Sequence, residues 1–189
     1  VFGELVSELV TADVVLIDGR SGSGKTSLAE KLVGRLGALG RRVQVLRVED
    51  LYPGWDGLAE GSRAVAEALA AGRYRRYDWE LGAFAEWVTI NETTPLIIEG
   101  CGAITRENLA AAEGWAVREN VGNVRSVWIE CPTELRRSRA LARDGKMFAP
   151  HWDRWAAQEE ALFSKTRPDL LAELAFQCRE CGSETHSRR

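Results

Sequence analysis

One stretch constrains this chain more than any other: Val14-Val15-Leu16-Ile17-Asp18-Gly19-Arg20-Ser21-Gly22-Ser23-Gly24-Lys25-Thr26-Ser27. Its apolar run predicts a buried strand, and a helical pattern begins at Leu28. Between them Gly19 to Thr26 fits G-x-x-x-x-G-K-[ST], the P-loop or Walker A pattern, in the strand–loop–helix context that gives the motif its meaning. Glycines let successive backbone N–H groups turn inward around phosphate oxygens, and the new helix adds the positive end of its dipole. Gly19, Ser21, Gly22, Ser23, Gly24, Lys25, Thr26 and Ser27 are therefore the candidate ATP-phosphate ligands. Lys25 is expected to reach the β/γ-phosphates and the Thr26 hydroxyl to ligate Mg²⁺.

The pattern on either side repeats strand and helix. Strands are predicted at 13–18, 42–48, 95–100 and 124–130, with helices at 25–39, 61–71, 105–113, 132–144 and 152–165. Residues 1–12 suit a short amphipathic helix. Residues 84–90 fit a helix or a strand, and 172–177 read as a fifth strand rather than the end of a helix begun at Pro168. The expected fold is α/β, a P-loop NTPase fold with a five-stranded parallel sheet, helices on both faces and a helical lid. The expected organisation is a kinase-like domain over 1–177, with its lid at about 136–152, and a polar, disordered tail over 178–189.

Charge narrows the partners. The net charge is −3, which offers no global basic field for nucleic acid, and no apolar run has the length of a membrane span. The chain opens without a basic and apolar leader pattern, so no signal peptide is expected and the location read from it is cytoplasmic. Of four cysteines, Cys178 and Cys181 form a C-x-x-C with His186 beyond; this is half a zinc site, and reduced thiols are the default reading. Self-association is left open.

Phosphoryl transfer needs a base, a metal shell, positive charge on the moving group and an acceptor pocket. Asp50, directly after the second strand, is the first candidate for the base and for holding a metal-bound water; Glu49 is the next. Glu99 ends the third strand, where it would touch the metal shell, an acceptor hydroxyl or a nearby arginine. Arg136, Arg139 and Arg143 recur at helical spacing, and Arg139 and Arg143 are the candidates for the transferring phosphoryl. Tyr52, Trp55, Asp78 and Trp79 are the candidate acceptor residues, as aromatic faces for a flat base and a carboxylate for sugar hydroxyls. Trp87, Trp115 and Trp128 read as core or helix packing, and His151 and Trp152 as structural.

Taken together, these residues resemble the uridine kinase and phosphoribulokinase branch of the P-loop kinases, over roughly residues 13–177. Asp50-Leu51-Tyr52 resembles that family's Asp-x-Tyr, whose aspartate is the base. Tyr77-Asp78-Trp79 resembles its Tyr-Asp-Phe at the nucleoside, Ile98-Glu99-Gly100 its Phe-Glu-Gly, and Arg139-x-x-x-Arg143-Asp144 its lid arginines. The insert Pro53-Gly54-Trp55-Asp56-Gly57 departs from the family's loop, and the histidine that often follows Tyr-Asp-Phe is missing. The resemblance implies an ATP- and Mg²⁺-dependent kinase acting on a small, nucleoside-like acceptor. Two alternatives stand beside it: a nucleoside monophosphate kinase in which Arg73, Arg75 and Arg76 hold the acceptor phosphate, and a regulatory nucleotide-binding protein without turnover. Asn-Lys-x-Asp and Asp-x-x-Gly, the marks of a GTPase, do not occur.

Overall fold

A computed structural model describes residues 2–91, 95–119, 122–178 and 185–188. Its centre is strand β1 (Val14–Gly19), buried at all six positions. Alternation sends Val14 and Leu16 into one core and Val15 and Ile17 into the other, so each face of the strand needs its own apolar cover. Helices α1 (Gly3–Leu9) and α2 (Lys25–Ala38) supply one cover, through Leu5, Leu9, Leu28 and Leu32. On the other face lie α3 (Leu58–Ala71), α4 (Arg106–Arg118) and α6 (Trp152–Thr166), through Leu58, Leu69, Trp115, Trp155 and Phe163.

Strand β1 lies between β5 (Leu96–Glu99) and β6 (Val124–Glu130), both parallel to it. Strand β2 (Gln44–Arg47) extends the sheet beyond β5, and β7 (Leu174–Gln177) extends it beyond β6. These are the five expected parallel strands. Residues 168–171 form a short helix, α7, and the strand reading of 172–177 holds from Leu174 onward. The tail differs from expectation: Thr185–Arg188 forms β8, antiparallel to β7, which gives a sheet of order β2-β5-β1-β6-β7-β8. Cys181 lies outside the described residues, so the C-x-x-C pairing does too.

Two further segments were illegible for one reason. Strands β3 (Arg73–Asp78) and β4 (Ala83–Thr89) form an antiparallel hairpin apart from the main sheet, with most of their residues exposed or half-buried. A strand pair with no buried face carries little of the alternation by which strands are read. Trp87 sits here, 59% exposed beneath the Arg73 guanidinium, and not in the core; Trp115 and Trp128 are buried as expected. Helix α5 (Thr133–Phe148) is broken at Gly145, whose φ of 48° and ψ of −122° are not helical, so its first part ends at 144 as expected and a short helical segment follows to Phe148. The side chains of Asp144 and Lys146 lie outside the described residues.

Candidate active site

The parallel strands all end on the side where β1 gives way to the glycine loop, and a cavity of about 730 Å³ opens there. Ser21, Gly22, Gly24, Lys25, Thr26 and Ser27 line it from the loop and from the start of α2. Gly19 and Ser23 do not; Gly19 is pressed against the Ile129 carbonyl of β6, and Ser23 is fully buried beneath the loop. Gly22, at φ 79°, packs directly on the Arg136 backbone, where an added Cβ would collide with the Arg136 carbonyl. Gly22→Ala is therefore expected to displace the loop and weaken binding of an ATP analogue by about tenfold or more, as read by calorimetry.

Lys25 is buried and its Nζ donates to the Arg20 carbonyl at 3.1 Å and to Cys101 Sγ at 3.4 Å. Burial works against its charge, but Cys101, Glu99, Glu159 and Asp18 around it more than offset this and raise its pKa. The Thr26 hydroxyl donates to Glu99 Oε1 at 3.2 Å. Burial lifts the Glu99 pKa, with Lys25 opposing and Glu49 adding to the rise, and Arg47 Nε stands 3.8 Å from Oε1. Glu99 thus meets the Thr26 hydroxyl and a local arginine, Arg47. The hydroxyl of Thr26 with the carboxylate of Glu99 is an all-oxygen pair that fits a hard ion such as Mg²⁺.

Below the loop, Asp18 ties β1 to the segment after β5. Its carboxylate accepts from the backbone N–H groups of Gly19, Gly102 and Ile104 at 2.7, 3.0 and 2.8 Å. Burial pushes its pKa up to about 7 against these amides and Lys25.

The acid after β2 needs correcting. Residues Val48–Leu51 form a 3-10 turn, and a repeat of three puts residue i and residue i+3 on one side. Glu49 and Tyr52 accordingly line the cavity, and Asp50 does not. Burial, then Glu49, pushes the Asp50 pKa up to about 6, with Arg47 and the hairpin's Arg76 opposing and Glu86 adding to the rise. Neither the base nor the metal role expected of Asp50 suits that position. A carboxyl group whose pKa rises from 3.8 to about 6 on folding stabilises the fold below the lower value, and loses that contribution as pH rises through the higher. Asp50→Asn should therefore gain stability relative to the wild type between about pH 4 and pH 7, measured by denaturant unfolding at both ends.

The acceptor candidates divide as well. Tyr52, Trp55 and Trp79 line the cavity, while Asp78 accepts from the Glu80 and Leu81 N–H groups and serves the hairpin turn. Trp55 is the hub of the aromatic wall. It stacks on His151 at 4.2 Å and on Phe148 at 5.6 Å, and meets Trp79 at 5.0 Å. Gln158 Nε2 donates to the Trp55 carbonyl at 2.8 Å and Arg154 pairs with Asp56, so the 53–57 insert is fastened to α6. Trp55→Ala is expected to raise the acceptor KM by about tenfold and to leave binding of an ATP analogue unchanged, measured by steady-state kinetics and calorimetry.

The arginines separate by position. Arg139 and Arg143 line the cavity, and Arg139 Nη1 donates to Cys131 and Cys178 sulfurs at 3.5 and 3.4 Å. Burial, then Cys178, pushes the Cys131 thiol up to about 12, so it stays protonated. Arg136 is buried in backbone contacts. Arg75 bonds the Phe84 and Ala85 carbonyls, Arg76 pairs with Glu86, and Arg73 covers Trp87. All three hairpin arginines are engaged within the hairpin and none lines the cavity, which removes the phosphate clamp expected for a nucleoside monophosphate acceptor.

Sequence reasoning missed Arg47, Cys101, Met147, Phe148 and Trp155 on the cavity wall. Cys101 directly follows the Ile98-Glu99-Gly100 stretch and had a signal; Phe148 and Trp155 arrive only through the packing of α5 and α6.

The chain has a P-loop NTPase fold, shared with two solved structures. Over 91% of its length the chain superposes on a possible uridine kinase from Bacillus stearothermophilus, covering 97% of that chain, with a TM-score of 0.56 and 19% identity. It superposes equally on 91% of its length with a candidate fructose transport system kinase from Silicibacter sp. TM1040, covering 95% of that chain, with a TM-score of 0.55 and 18% identity. Comparison of the sequence with protein-family models and with curated proteins finds no match. Among the described residues no helix is long and apolar enough to cross a membrane.

Proposed function

We propose that this chain is an ATP-dependent phosphotransferase that moves the γ-phosphoryl group to a hydroxyl of a nucleoside-like small molecule. The observation that carries the reading is a single cavity shared by the Lys25–Thr26 loop, the acids Glu49 and Glu99, the arginines Arg139 and Arg143, and the aromatic wall of Tyr52, Trp55 and Trp79. Loop amides and Lys25 bind the phosphates. Thr26 and Glu99 would hold Mg²⁺, which when bound neutralises phosphate charge. Arg139 and Arg143 stabilise charge on the phosphoryl group in transit, with a guanidinium that is always ionised.

Glu49 replaces Asp50 as the group that accepts the proton of the acceptor hydroxyl, because it is the acid of the pair that faces the cavity. The aromatic wall offers faces for a flat base. With the hairpin arginines engaged elsewhere, an acceptor without its own phosphate fits better than a monophosphate.

The test is ATP consumption with Mg²⁺ and a panel of nucleosides, nucleotides and phosphorylatable sugars. Turnover with a nucleoside supports the reading. Tight ATP binding with no turnover on any acceptor favours the regulatory alternative and overturns it.

A further inference from the structure

Ser21, the third residue of the glycine loop, is held from both sides by side chains that are themselves buried. Its N–H donates to Glu159 Oε1 at 2.6 Å, and its carbonyl accepts from Arg136 Nη1 at 3.2 Å. Glu159 comes from α6 and is 1% exposed; Arg136 comes from the first turns of α5 and is 5% exposed. The two face each other, with Nη1 4.0 Å from Glu159 Oε2. Each is fixed in turn. Glu159 Oε1 also accepts from the Cys101 thiol at 3.3 Å, while Arg136 Nε and Nη2 donate to the Cys131 carbonyl at 3.0 Å and to Thr133 Oγ1 at 3.1 Å.

A carboxylate buried this far is costly unless it is paired and hydrogen-bonded. Here the pairing falls on one residue of the phosphate loop, 138 positions from Glu159 in sequence. Helices α5 and α6 are also the two stems of the segment around 145–151, whose Met147 and Phe148 line the cavity. Arg139 lies one turn along α5 from Arg136. We propose that Glu159 and Arg136 are positioning residues: they grip the backbone of Ser21 on both sides of its Cα and keep the phosphate loop in register with Arg139 across the cavity. This rests on the phosphate-loop reading given above.

Glu159→Gln tests it with little change of shape. The amide keeps an acceptor for Ser21 N–H but turns an NH₂ group toward the Arg136 guanidinium. Calorimetry with a non-hydrolysable ATP analogue and Mg²⁺, on the full chain well below its melting temperature, reads the effect without needing the acceptor. Glu159→Gln should weaken binding by about tenfold, the size of one lost charge-assisted hydrogen bond. Arg136→Lys should do likewise, because acceptors met by three separate nitrogens of a planar guanidinium cannot all be reached from one ammonium nitrogen. The double variant should lose less than the product of the single losses, since both act on the same residue. A lowered melting temperature with binding within about twofold of wild type would show a role in the fold alone and overturn the proposal; a strictly multiplicative double variant would overturn it too. Failure of the wild type to bind the analogue would instead overturn the phosphate-loop reading.

Discussion

Lys25→Ala is expected to abolish the proposed phosphoryl transfer: kcat should fall by about 10³-fold or more while the folded structure survives. Lys25 lines the cavity with its ammonium between the Arg20 carbonyl and Cys101, and Glu99, Glu159 and Asp18 raise its pKa. It therefore stays charged at any working pH and stands as the loop's own cation against phosphate oxygens. Alanine leaves the loop amides in place but removes that charge from a partly desolvated site, where it counts most. Steady-state kinetics with any accepted substrate makes the measurement, and circular dichroism checks the fold. A kcat within about threefold of wild type would show that the loop does not serve the transferring phosphates.

The second expectation contrasts two adjacent acids. Glu49→Gln should lower kcat by about 10²-fold or more and leave affinity for an ATP analogue within about threefold, as loss of a general base does. Asp50→Asn should leave kcat within about threefold of wild type. The reason is the 3-10 turn at Val48–Leu51, which aims Glu49 into the cavity beside Tyr52 and turns Asp50 toward the hairpin. Glu49 also stands near enough to Glu99 to help raise the pKa of that carboxyl, which puts the two acids in one site. Equal losses in both variants would refute the assignment, and loss in Asp50→Asn alone would restore Asp50 as the base.

Legibility followed burial. Strands β1, β5 and β6 were readable because apolar runs covered on both faces look like nothing else in a chain this size. Thr105 begins the predicted 105–113 helix and caps α4, accepting from Asn108 N–H. The hairpin was not readable, since neither β3 nor β4 buries a continuous face. Strand β8 had no apolar pattern to announce it in a polar tail.

The same division runs through the site. By itself the sequence determined the phosphate end, because a glycine loop binds with its own backbone, and eight consecutive residues carry both the conformation and the chemistry. It also placed acids at strand ends and arginines on one helix, since helical and strand periods are local. Only the tertiary structure decided which acid faces the cavity, which arginines are engaged in the hairpin, and that Trp55 meets His151 and Phe148. It alone brought Glu159 to Ser21. Such contacts join residues scores of positions apart, and they depend on how helices seat on the sheet. No local period encodes that, because packing is settled by the whole core at once.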